Sequence, residues 1–326
     1  MNKKFIKIYA DFLKKNLNPQ KKLKVVFDCS NGTAGPILKQ LTINNEQMTT
    51  YFINDKPDGN FPAHGPNPLK SGALKQLQNK VKKYKADLGI IFDADGDRVF
   101  FIDNLGRFIN PDAIAKLLIW NLKPKKIIID VRTGWLIKKI KNQKSKIKII
   151  KSRVGHYFIK KLMRKIDADF SAEYSGHYYF KNFFFVDSGI LAAIEIINAI
   201  SKLPYSMADF MDLLPQYYRS PEINFKIKNP EQFIKKIEEK FKIQDSGFKI
   251  RVSRLDGLTM EFEEWPASRL GLRSHFGKGG SLGEGWWFNL RSSNTEPLLR
   301  LNVETENKKL LDKKIKILHS LISAFK

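Results

Sequence analysis

Short runs of Val, Ile and Phe alternate with amphipathic stretches through the first 200 or so residues, and this alternation confines the chain to α/β layers. Lys24 to Phe27 (KVVF) reads as a strand, Asn31 to Gly35 as a Gly-containing turn, and Pro36 to Leu41 as the start of a helix. The pattern continues with a helix over Leu69 to Tyr84 and strands at Leu88 to Phe92 (LGIIF) and Val99 to Ile102 (VFFI). A helix over Pro111 to Trp120 and a buried strand at Lys126 to Asp130 (KIIID) follow. Further short strands are predicted at Lys146 to Lys151 and Asp169 to Glu173, and an apolar helix at Ile190 to Ile200. Beyond about residue 215 strands outnumber helices: Ile223 to Ile227, Gly247 to Arg254, Leu258 to Phe262, Trp286 to Leu290 and Leu298 to Glu304 surround a helix near Pro230 to Phe241 and precede one at Lys309 to Phe325. The expected fold is α/β layers with largely parallel or mixed sheets, followed beyond about residue 215 by a separate, smaller α+β domain.

A chain of 326 residues with 42% hydrophobic content has enough apolar material for several cores, which argues against disorder or a fibrous repeat. The lone Cys29 excludes a disulfide framework or a cysteine-built zinc site. No apolar stretch reaches the roughly 18 residues of a membrane span, and MNKKFIKIYADFLKK has no signal-like apolar core. A cytoplasmic protein that engages no membrane is expected. The formal charge of +25 invites a nucleic-acid reading, but 46 of the 58 basic residues are lysines scattered along the sequence, many at helix-face spacing as in FIKKIEEKF. That is the texture of solvated helix faces. No nucleic-acid partner is expected; the surviving role of the charge is to concentrate a small anionic substrate.

Three loops carry chemistry. In Asp93-Ala94-Asp95-Gly96-Asp97-Arg98, three carboxylates recur at alternate positions after a buried strand. At about 4 Å each pair repels by roughly 4 kcal/mol at an effective dielectric of 20, so their convergence implies a cation. An EF-hand needs Gly at its sixth position and Glu at its twelfth, where this chain has Arg98 and Asn104. Oxygen-only ligands suit Mg²⁺, and the adjacent arginine suits a phosphate shared with it; the alternative is a solvated acidic turn. In Ala172-Glu173-Tyr174-Ser175-Gly176-His177, alternate residues Glu173, Ser175 and His177 face one way if the segment is extended, offering a carboxylate and hydroxyl to sugar hydroxyls and an imidazole to a proton. In Arg291-Ser292-Ser293-Asn294-Thr295-Glu296-Pro297, a guanidinium, hydroxyls and backbone N–H groups share one turn, matching a phosphate dianion as well as an ordinary polar turn. The Gly-rich stretch Gly277 to Gly285 does not satisfy G-x-G-x-x-G and reads as a hairpin loop.

Together and in this order the three loops resemble those of the α-D-phosphohexomutases, the phosphomannomutase/phosphoglucomutase family. FDCSNGTAG, PDGNFPAHGPNP, SRVGHYFI and the run from SGHYYF to DSGILAA resemble the same family, so the likeness spans essentially the whole chain. It implies that Asp93, Asp95 and Asp97 ligate Mg²⁺ and that Arg98 stabilises charge on the transferring phosphoryl group. Glu173 and Ser175 would grip sugar hydroxyls, with His177 as proton acceptor. Arg291, Ser293, Asn294 and Thr295 would hold the non-transferring phosphate, with Arg132, Arg153 and His156 adding phosphate or sugar contacts.

The implied reaction interconverts hexose 1- and 6-phosphates, of glucose or mannose, through a bisphosphate that reorients between two phosphoryl transfers. The family's members have four domains, and this sequence resembles the last three, which implies two consecutive α/β mixed-sheet domains over about 1–104 and 105–212 followed by a smaller α+β C-terminal domain over 213–326. The phosphoserine of a T-A-S-H-N-P-like loop, which donates the phosphoryl group, has no counterpart in these residues, and an N-terminal phosphoserine domain, on a separate chain or encoded upstream of Met1, is the implied partner. The other reading is a catalytically silent remnant that retains sugar-phosphate and Mg²⁺ binding.

Overall fold

The computed structural model describes residues 2–140, 147–244, 248–264, 285–293 and 296–324. They form two compact units, one of residues 1–151 with 155–214 and one of 152–154 with 215–326.

The first unit opens with helix α1 (Lys3–Lys14), whose N-cap Asn2 accepts from the Lys4 N–H at 2.9 Å. Strand β1 (Leu23–Asp28), helix α2 (Ala34–Thr42), strand β2 (Met48–Ile53), helix α3 (Lys75–Tyr84) and strands β3 (Leu88–Phe92), β4 (Val99–Asp103) and β5 (Phe108–Ile109) build a sheet of order β2-β1-β3-β4-β5. β1 runs parallel to β2 and β3, while β4 is antiparallel to both β3 and β5. Every residue of β3 and β4 is buried, as continuous apolar runs require in the middle of a covered sheet. Helix α3 begins at Lys75 and not at Leu69 as the periodicity predicts, because Gly72 takes φ +85° and breaks the helical path before it.

Helix α4 (Pro111–Leu122) starts on the N-cap Asn110 with Pro111 in its first turn. After it come β6 (Lys126–Asp130), the short helix α5 (Trp135–Lys138), β7 (Lys148–Ser152), α6 (His156–Ile166), β8 (Phe170–Ala172), β9 (Tyr178–Phe180), β10 (Val186–Asp187), α7 (Gly189–Ser201) and α8 (Met207–Asp212). The second sheet has order β10-β9-β8-β6-β7, with β6 and β8 parallel and β9 antiparallel to β8 and β10. All of α7 is buried: most of its circumference is apolar, its polar residues Glu195, Asn198 and Ser201 accept hydrogen bonds from Asn121, Asn18 and Gln20, and it packs on α4. One core runs from Leu23, Phe27 and Phe92 through Leu117 to Ile194 and Ile200. The two sheets and their loops are therefore one packed body.

The second unit holds β11 (Tyr218–Arg219), β12 (Ile223–Phe225), α9 (Pro230–Gln244), β13 (Phe248–Ser253), β14 (Leu258–Glu264), β15 (Trp286–Ser292), β16 (Leu299–Thr305) and α10 (Lys308–Ser323). Its antiparallel sheet has order β11-β16-β15-β14-β13, with β12 also on β16. Its separate core centres on Phe241, Phe262, Trp286 and Phe288, and the Phe262 and Trp286 rings stack with centroids 4.3 Å apart. The architecture is the expected one: two mixed α/β sheets, then an α+β sheet. Residues 277–284 of the predicted hairpin loop lie outside the described residues.

Candidate active site

The Asp93–Arg98 loop leaves β3 and returns as β4, a reversal closed by the Asp93 N–H donating to the Arg98 carbonyl at 3.3 Å. Asp93 is buried, and its Oδ1 accepts from the N–H groups of Gly96 and Arg98, both at 3.1 Å, while the Arg98 Nε–H donates to Oδ2 at 2.5 Å. One carboxylate thus organises the turn. Asp93, Asp95 and Asp97 each offer an oxygen within 4.8 Å of the others'. Asp97 Oδ1 is buried and finds no hydrogen-bond partner among the described residues. Burial pushes the Asp93 carboxyl up to about 6, Arg98 opposes that, and Asp97 and Asp95 add to it.

The Glu173–His177 segment joins β8 to β9. It is not extended as the alternation assumes: the Gly176 N–H donates to the Glu173 carbonyl at 3.1 Å, the Glu173 N–H to the His177 carbonyl at 2.9 Å, and Gly176 sits at φ +89°. A tight turn brings the three side chains together all the same. Ser175 Oγ lies 3.1 Å and Glu173 Oε2 3.4 Å from His177 Nδ1. Glu173 is buried, accepting from the Tyr179 hydroxyl at 2.6 Å and the Gly155 N–H at 3.1 Å, with Arg132 Nη2 3.5 Å away.

These two loops are fastened to each other. Arg98 and His177 form an antiparallel bridge, the Val99 N–H donates to the Gly176 carbonyl at 3.1 Å, and the Gly189 N–H at the start of α7 donates to the Gly96 carbonyl at 3.1 Å. His177 Nε2 therefore lies 3.5 Å from Asp97 Oδ2 and 4.0 Å from Asp187 Oδ2. Burial acts to lower the His177 pKa, but the hydrogen bond it donates to Asp97 and the charges of Glu173, Asp97 and Asp187 outweigh it and raise the value. The same hydrogen bond to His177 lowers the Asp97 pKa against the effect of burial.

Arg132 is buried and bound to Asp130 through Nε at 3.1 Å and Nη2 at 2.7 Å. His156 is the exposed first residue of α6. Arg153, exposed, belongs to the second unit. There Arg291 is buried at the end of β15 with Nη2 3.5 Å from Glu222, which also holds Arg300 Nη1 at 3.1 Å. Arg300 also pairs with Glu296 at 2.6 Å, so it is engaged in structural ion pairs. Ser293 N–H donates to the Leu298 carbonyl at 2.8 Å, and its hydroxyl accepts from the Glu296 N–H at 3.3 Å. Asn294 and Thr295 lie outside the described residues. Sequence reasoning passes over Asp187, which Lys160 holds at 2.7 Å, and Tyr179; the DSGILAA and SGHYYF runs contain them without marking their approach to His177.

Three family models match in succession: phosphoglucomutase/phosphomannomutase alpha/beta/alpha domain II over residues 5–106, alpha/beta/alpha domain III over 110–218, and the C-terminal domain over 222–315. The chain is 37% identical over 322 residues to a protein of Methanocaldococcus jannaschii named phosphomannomutase, across 98% of this chain and 65% of that one. It is 34% identical over 300 residues to the Escherichia coli K12 phosphomannomutase, across 89% of this chain and 59% of that one. The chain thus spans about two thirds or less of these relatives' length. In fold it is similar to a phosphoglucomutase/phosphomannomutase family protein from Burkholderia thailandensis, with TM-score 0.78 and 24% identity over 98% of this chain and 64% of that one. It is similar likewise to the Aspergillus fumigatus N-acetylphosphoglucosamine mutase solved with GlcNAc-6P and magnesium, with TM-score 0.62 and 15% identity over 99% of this chain and 66% of that one. The chain belongs to the phosphoglucomutase/phosphomannomutase family.

Proposed function

We propose that this chain is the metal-, sugar- and phosphate-binding part of a phosphohexomutase that interconverts hexose 1-phosphate and hexose 6-phosphate, of mannose or glucose, through a hexose bisphosphate. The observation that carries the reading is the backbone fastening of the Asp93–Arg98 loop to the Glu173–His177 turn, which puts three carboxylates, a guanidinium and an imidazole at one place. The residues fit Mg²⁺. The donors are all oxygen, three carboxylates beside one guanidinium leave two net negative charges for a dication, and the buried Asp97 Oδ1 accepts no hydrogen bond among the described residues, its nearest cation being Arg98 Nε at 3.8 Å. Bound there, the ion supplies charge withdrawal from a phosphoryl group.

Asp93, Asp95 and Asp97 would hold the ion. Arg98, oriented by Asp93, keeps a guanidinium beside the transferring phosphoryl group. Glu173 and Ser175 receive sugar hydroxyls, and His177, facing Asp97 and Asp187, accepts a proton from the attacking hydroxyl. Arg291, Ser293, Asn294 and Thr295 hold the non-transferring phosphate, with Arg132, Arg153 and His156 as auxiliary contacts. The domain division is read as 1–104, 105–212 and 213–326, and the phosphoserine that donates the phosphoryl group comes from a further domain, supplied in the same polypeptide or a separate one.

A coupled assay with mannose 1-phosphate and glucose 1-phosphate, with and without an added phosphoserine domain from a relative, tests this. Turnover in the complemented reaction is expected. No turnover in either condition, together with retained sugar-phosphate binding, would instead support a binding remnant.

A further inference from the structure

The hydroxyl of Thr33 sits at the N-cap of α2 but caps nothing there. It donates instead to the Asp95 carbonyl at 3.0 Å, while the Thr33 N–H donates to the Ala94 carbonyl at 2.8 Å. Those two carbonyls belong to the two peptide planes that flank the Asp95 Cα, so one residue pins both planes. Ser30, buried three residues earlier, donates through Oγ to the Phe92 carbonyl at 2.5 Å and so fixes the plane that enters Asp93. The segment is itself rigidly placed. Ser30 and Asn31 take φ +50° and +54°, the Ser30 N–H is held by Asp28 Oδ1 at 3.0 Å, and a Cβ on Gly32 would lie 2.2 Å from the Ala94 carbonyl oxygen. The chain therefore passes as close to the acidic loop as a glycine permits.

Asp95 depends on this support more than its neighbours do. Asp93 is buried in the turn's hydrogen bonds and Asp97 meets His177, whereas the exposed Asp95 carboxylate has no hydrogen bond or ion pair among the described residues. What the fold fixes of it is its backbone, and with that the direction of its Cα–Cβ bond.

Resting on the reading of the Asp93–Asp97 loop as a divalent-cation site, we propose that Thr33 is a positioning residue that aims Asp95 at that cation. Thr33→Val keeps the side chain's shape and removes the donor; Thr33→Ser keeps the donor. The experiment is Mn²⁺ titration followed by electron paramagnetic resonance on the full chain, with thermal unfolding of each variant alongside. Thr33→Val is expected to bind Mn²⁺ about 10-fold or more weakly, the usual cost of losing a group that orients a ligand. Thr33→Ser should stay within about twofold of wild type. Both should unfold at the wild-type temperature, because Thr33 is exposed. If Thr33→Val fails to fold, Thr33→Ala replaces it in the same titration. Wild-type affinity in the folded donor-less variant overturns the proposal, as does equal weakening in Thr33→Ser. Asp95→Asn separates this from the underlying reading: if it binds Mn²⁺ as tightly as wild type, or wild type binds none, the loop is not the cation site and the reading itself fails.

Discussion

The imidazole of His64 faces the carboxylate of Asp28, with Nε2 3.2 Å from both oxygens and the two side chains 6% and 0% exposed. The Asp28 hydrogen bond raises the His64 pKa above 6.5, against the lowering effect of burial. A raised folded-state value means the pair's contribution is complete below the unfolded value and fades as pH rises through the folded one. Urea unfolding between about pH 5.5 and pH 8.5 should therefore show wild type exceeding His64→Gln in stability most at the acidic end. A gap that widens with rising pH would contradict the assignment.

Gly189 begins α7 against the acidic loop, and a Cβ there would lie 2.7 Å from the Gly96 carbonyl oxygen. Gly189→Ala must push the two apart or strain both. Chemical denaturation should register a loss of about 1–3 kcal/mol, the range for overpacking. Mn²⁺ affinity should fall with it, since the displaced carbonyl belongs to the loop that bears Asp95 and Asp97. Unchanged stability and affinity would show that the contact is slack.

Glu173 accepts from Tyr179 and Gly155 and faces Arg132 and His177. Glu173→Gln replaces a charged acceptor with a neutral one of similar shape. Hydrogen bonds to charged groups contribute about 1.5–3 kcal/mol, so the KM for hexose phosphate should rise about 10-fold or more in the complemented assay. An unaltered KM would remove Glu173 from the sugar site.

Phe241 stands within 5.4 Å, centroid to centroid, of both Trp286 and Phe288 and within 5.9 Å of Phe262. Phe241→Ala opens a cavity in the second unit's own core and should cost about 3–5 kcal/mol by tryptophan-monitored unfolding. A cost under about 1 kcal/mol would mean that the neighbouring rings collapse into the space.

Leu88–Phe92 and Lys126–Asp130 are legible in the sequence with unchanged ends because a doubly covered strand writes its burial as an unbroken apolar run. The three aspartates are legible because their chemistry is local. What escapes is whatever depends on approach through space. Thr33 reaches Asp95 across 62 positions, and nothing in FDCSNGTAG marks that contact. The turn at Glu173–His177 escapes for a different reason: period-two reasoning presumes an extended backbone, and Gly176 at φ +89° abolishes it. Short strands such as β9 and β10, three and two residues long, carry too few side chains to display a period.

The acidic loop and the sugar-loop turn are joined through amide and carbonyl groups: Val99 to Gly176, Gly189 to Gly96, and the Arg98–His177 bridge. A seam made of main-chain atoms is indifferent to most side chains beside it. Substitutions at Ser175 or Tyr174 leave these main-chain bonds in place, so the side chains that the turn presents are free to change while the acidic loop keeps its place beside it. The constraint is concentrated at Gly176 and Gly189, where any side chain would collide with the Phe100 ring or the Gly96 carbonyl.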